Sequence, residues 1–70
     1  MKSNQLAFVV FILNKFASAN RLPISEVYNR FDTLHILDDY ILKHYEVLHT
    51  LGENYLIEDL NELLAQKLLQ

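Results

Sequence analysis

Apolar residues recur along this chain at helical rather than strand spacing, and they fall into four segments. The first runs from about Asn4 to Ala19. Leu6, Val9, Val10, Leu13 and Ala17 form its inward stripe, while Phe8, Phe11, Ile12 and Phe16 fill much of the remaining circumference. A helix that is apolar nearly all round is buried on several sides. The β-branched and aromatic run Phe8 to Ile12 also suits a strand, but the segment's length and the lack of a second strand to pair with favour helix.

The link Asn20-Arg21 leads to a second segment, about 23–33. Pro23 sits at its start, where a fixed φ helps and a missing N–H is not needed, and Ser25 is a competing N-cap. Ile24, Val27, Tyr28 and Phe31 lie at i, i+3, i+4 and i+7, one amphipathic face. The third segment, about 36–49, carries Ile36 or Leu37, Tyr40, Ile41, His44, Val47 and Leu48 on its apolar face. Asp38 and Asp39 suit the positive end of its dipole. Gly52, the only glycine, follows that segment and is expected to stop it by taking a positive φ. The fourth segment, about 53–68, puts Leu56 or Ile57, Leu60, Leu63, Leu64 and Leu68 on one stripe and Glu58, Asp59 and Glu62 opposite. No repeat or linker divides the chain. The expectation is all-α: one domain over 1–70, a small bundle of four helices.

Composition sharpens this in two ways. Seventy residues bury only about 60 % of their unfolded surface, so such domains usually lean on a disulfide, a metal or a partner. The absence of cysteine removes disulfides and thiolate metal sites, leaving apolar packing within or between chains. Burial of Phe8, Phe11, Ile12 and Phe16 is worth about 1.5–3 kcal/mol each. Three other helices hardly cover every side of the first. These four residues are therefore the expected interaction surface, for a homodimer first and a heterologous protein partner second.

Charge and targeting signals narrow the partners. The net charge is −3, and the six bases are scattered singly, whereas nucleic-acid binding needs clustered positive charge. A small dimeric DNA-binding regulator is the alternative reading, with segments two and three as the helix pair. Its third segment would offer the phosphates only Lys43. Met1-Lys2, the run Leu6 to Leu13 and Ala17-Ser18-Ala19 resemble a signal peptide. Lys15 interrupts the stretch, however, and cleavage would leave about fifty residues, a poor folding length. The apolar run is also far short of the ~20 residues that span a bilayer. A cytoplasmic protein without a membrane segment is expected.

Candidate chemistry adds little. His44 and His49 are five apart, unlike the i, i+4 pair of a zinc helix, and His35 with Asp38 or Asp39 supplies at most a surface pair. Adjacent carboxylates at Asp38-Asp39 and Glu58-Asp59 point about 100° apart and do not converge on one substrate. No serine or threonine has a nucleophile's context, and there is no glycine-rich phosphate loop. The chain reads as a non-enzyme with no catalytic residues, no metal site, no cofactor and no small-molecule substrate. Tyr28, Tyr40, Tyr45 and Tyr55 fit the edge of a core or an interface. His49 either caps its helix or meets a tyrosine hydroxyl across the core.

The stretch Tyr45-Glu46-Val47-Leu48-His49-Thr50-Leu51-Gly52, followed by Tyr55-Leu56-Ile57-Glu58-Asp59-Leu60, resembles a family of short bacterial proteins catalogued as a domain of unknown function. The likeness runs over nearly the full length, including Phe8-Val9-Val10-Phe11 and Ser25-Glu26-Val27-Tyr28, the latter without the spacer of the usual pattern. It marks Tyr45, Val47, Leu48, His49, Thr50, Gly52, Tyr55 and Asp59 as motif positions with structural roles. Genes of that family often lie beside one for an ADP-ribosyltransferase-like toxin. The resemblance thus implies an antitoxin-like or accessory protein.

Overall fold

The computed structural model describes residues 1–68 and contains helices only among them. Helix α1 spans Ser3–Asn20, α2 Ile24–Thr33, a π-helical segment Leu37–Leu42, α3 Tyr45–Leu48 and α4 Glu53–Leu68. The all-α expectation holds, and α1, α2 and α4 lie within a residue of their predicted bounds. Helix α1 is the hub: α2, the π segment and α4 all pack on it. The core it shares with them is built from Val9, Ile12, Leu13, Phe16 and Ala17, with Val27, Phe31, Ile36, Ile41, Leu56 and Leu60 from the other elements. Among the described residues no polar or charged side chain is buried.

The helix ends explain the corners. At the start of α1 the Lys2 backbone N–H donates to Gln5 Oε1 at 3.0 Å, satisfying one donor outside the ladder. At its far end Arg21 adopts φ 55°, ψ 45°. The Leu22 N–H then donates to the Ala17 carbonyl at 2.9 Å and the Arg21 N–H to Ser18 at 3.3 Å. This is the Schellman arrangement, ordinarily closed by glycine because a Cβ is strained at positive φ. Arg21→Gly is accordingly expected to stabilise the domain by up to about 1 kcal/mol, a rise of several degrees in melting temperature for a chain this small. Thermal unfolding followed by circular dichroism reads it; a lower melting temperature would contradict the assignment.

Pro23 takes extended dihedrals at the N-cap position, one step earlier than expected, and Ser25 lies inside α2 rather than capping it. The other left-handed residue is His35, φ 61°, just after the C-cap Leu34. It turns the chain into the third segment.

That third segment is not the single helix expected over 36–49. Leu37–Leu42 is wound as a π-helix, Lys43 and His44 form a turn, and α3 is four residues long. Ile36 and Ile41, five apart, are both fully buried. An α-helix would turn positions five apart to different faces, and a wider turn brings both inward. The phase shift continues downstream: Tyr45 and Leu48 are buried, whereas His44 and Val47, expected on the apolar face, are exposed. Gly52 is corrected too. It has no positive φ, and its carbonyl accepts the Leu56 N–H at 3.1 Å, so it opens α4 instead of closing the helix before it.

Candidate interaction surface

The four residues expected to meet a second chain are divided by the fold. Ile12 and Phe16 are 1 % and 2 % exposed, and Phe16 packs edge-on against Phe31 with ring centroids 5.1 Å apart. Both belong to the domain's own core, and their assignment to an interface is corrected. Phe8 is half-buried and meets Tyr45 edge-to-face at 5.5 Å, closing the α1–α3 side. Phe11 alone of the four is well exposed, at 41 %, with the Lys15 ammonium 5.8 Å from its ring. Lys15 also reaches Glu53 at 3.8 Å. Phe11 therefore stands on the outer side of α1, near the start of α4.

The true core stripe, Val9, Ile12, Leu13, Phe16 and Ala17, is rotated about 50° from the predicted one, at about 100° per residue. That rotation carries Leu6 and Val10 to the surface, where they are 52 % and 48 % exposed. They border a groove of about 440 Å³ between the first half of α1, α2 and the π segment. Buried Val9 and Leu13 form its floor, Leu37 and Leu42 line it from the π segment, and half-exposed Tyr28 stands on α2. Asp32 and Asp38, both exposed, are the charged side chains that line it. A second concavity of about 490 Å³ lies at the other end of α1, between Phe16, Leu22, Leu34 and Leu64. Arg30 on its wall is held by Glu26 at 2.6 Å.

The motif positions are brought together only in part, and in architectural roles. His49 Nδ1–H donates to the Tyr45 carbonyl at 2.8 Å, and the two rings stack 4.6 Å apart. Thr50 Oγ1 donates to the Val47 carbonyl at 2.7 Å. The same two carbonyls of the four-residue α3 also accept the backbone N–H groups of His49 and Thr50, at 3.0 and 3.1 Å. The side chains therefore add second bonds there, and His49 meets a carbonyl of its own helix rather than a tyrosine hydroxyl. Leu48 is in the core, Val47 is 62 % exposed, and Tyr55 is exposed on α4. Asp59 accepts a hydrogen bond from the Tyr40 hydroxyl, which ties α4 to the π segment. Among the described residues no three His, Asp or Glu side chains converge as a metal set. No helix among them is long and apolar enough to cross a membrane.

Fold and surface together define a small all-helical domain with an apolar core and an apolar groove left open along its central helix. The chain belongs to the family described as "Protein of unknown function (DUF3791)", whose model matches residues 7–67. No curated protein and no solved structure matches it.

Proposed function

We propose that this chain is a non-catalytic protein-interaction module that works by binding another protein through α1. The observation that carries the reading is the exposure of Leu6, Val10 and Phe11 on the most apolar helix of the chain. Single exposed apolar residues are ordinary, but Leu6 and Val10 border an apolar groove and Phe11 is exposed on the outer side of the same helix, a clustering typical of an interaction site. The resemblance found in the sequence narrows the partner to an enzyme encoded alongside, with this chain as its accessory or antitoxin-like protein. Ile12 and Phe16 lie in the core and are open to neither a second copy nor another protein. The shared net charge of −3 disfavours a second copy, so a heterologous partner is preferred.

Co-expression with the product of the neighbouring gene tests this. The two proteins are expected to co-elute in size-exclusion chromatography with light scattering, and Phe11→Asp or Leu6→Asp to reduce the complex at least about tenfold, a loss of about 1.4 kcal/mol. A chain that elutes alone as a monomer beside that product would overturn the reading.

A further inference from the structure

We infer that the groove between α1, α2 and the π segment is the seat of an amphipathic helix from a different protein, one carrying Lys or Arg beside its apolar stripe. The inference rests on the interaction-module reading and adds the chemistry and place of the partner.

Shape is the first argument. Leu6 and Leu13 both line the groove and lie seven residues apart on α1, about 10 Å along the axis at 1.5 Å per residue. Two turns of apolar floor match the i, i+3 or i+4, i+7 anchors by which a helix lies in a groove. Elongation of this kind suits a rod better than a compact ligand.

Charge decides between occupants. Asp32 from α2 and Asp38 from the π segment line the groove, as does Met1 with its single α-amino group, and no Lys or Arg side chain does so among the described residues. A second copy of this chain, docked groove to groove about a two-fold axis, would set four carboxylates and two surfaces of the same net charge, −3, against one another. An anionic lipid surface meets the same repulsion. A helix with an apolar stripe and flanking Lys or Arg satisfies both features, burying its stripe over Val9 and Leu13 and pairing its bases with the two carboxylates. Complementary charge at a groove rim accelerates encounter and rejects like-charged partners, and both effects weaken with salt.

The test uses the whole chain and two synthetic peptides of ~14 residues, about four helical turns. One carries Leu at i, i+3, i+4 and i+7 with Lys elsewhere; the other carries Glu in place of Lys. Amide shift mapping is expected to place the Leu/Lys peptide at Leu6, Val10, Tyr28 and Leu42. Its affinity is expected to fall about tenfold with Val10→Lys, and by a similar factor with the paired change Asp32→Asn and Asp38→Asn. These three side chains are exposed, so circular dichroism should show the variants folded. Shifts centred on Glu58, Asp59 and Glu62 of α4, equal binding of the Leu/Glu peptide, absence of binding, or self-association that uses the groove in place of peptide would each overturn the inference. None of these bears on the co-purification experiment, which judges the interaction reading separately.

Discussion

Phe31→Ala is expected to leave the domain largely unfolded at 37 °C. Phe31 is fully buried where α2 meets α1, and its ring packs edge-on against Phe16, itself in the core. Truncating a buried phenylalanine costs about 3–5 kcal/mol through lost transfer energy and the cavity left behind. Ordinary domains have about 5–15 kcal/mol in total, and a 70-residue chain without disulfides sits near the bottom of that range. Repacking offers little relief, because the cavity would open between two helices whose relative position this pair sets. Urea unfolding followed by circular dichroism should show the midpoint falling by more than half, or no cooperative transition at all. At about 4 °C per kcal/mol the melting temperature drops by at least about 12 °C. Tyr28→Ala, on the exposed side of the same helix, is the control. It should shift stability by about 0.5 kcal/mol. Similar losses in the two variants would mean that α2 does not pack as described.

The second large effect concerns the bond from Tyr40 to Asp59. It is a charge-assisted hydrogen bond across nineteen residues of sequence, and it fastens α4 to the π segment. Bonds to a charged group are worth about 1.5–3 kcal/mol, more than the usual neutral pair. Tyr40→Phe and Asp59→Asn should each destabilise by about 1–2 kcal/mol, a range lowered because both residues are only half-buried. The double variant should lose scarcely more than either single one, since removal of the first partner already breaks the bond. That non-additivity is the diagnostic. If the two losses simply add, the side chains act independently and the fastening does not exist in solution.

The divide between what could be read from the residues and what could not has physical causes. Helices α1, α2 and α4 are legible because their boundaries carry polar links, Pro23 and Gly52, and because α2 and α4 each have one clear apolar stripe. The rotation of α1 is not legible. With Phe8, Phe11 and Ile12 filling the side away from the predicted stripe, nearly any phase buries apolar surface, and only packing partners choose one. Here Phe31 draws Phe16 inward, and Ile12 follows it four residues earlier on the same face. Leu6 and Val10 rotate outward as a result. The exposed apolar side of α1 moves for that reason: Phe11 stays outside, Ile12 and Phe16 lie in the core, and Leu6 and Val10 leave the expected inward stripe for the surface. The π segment is not legible because the apolar positions on either side of it follow the 3.6-residue period of an α-helix. The one visible sign was the five-residue step from Ile36 to Ile41, beside an equally good four-residue step from Leu37 to Ile41.

A core without a single polar side chain among the described residues has a consequence for how this sequence can vary. Apolar contacts are non-directional, so interior positions ask only for volume and shape, and Leu, Ile, Met and Val can trade places there at modest cost. Directional constraint is concentrated at the joints instead: the left-handed backbone at Arg21 and His35, the His49 and Thr50 bonds that end α3, and the Tyr40–Asp59 tie. Descendants of this chain are free to drift inside while their joints hold the architecture, so two such proteins can share a shape long after their interiors have ceased to look alike.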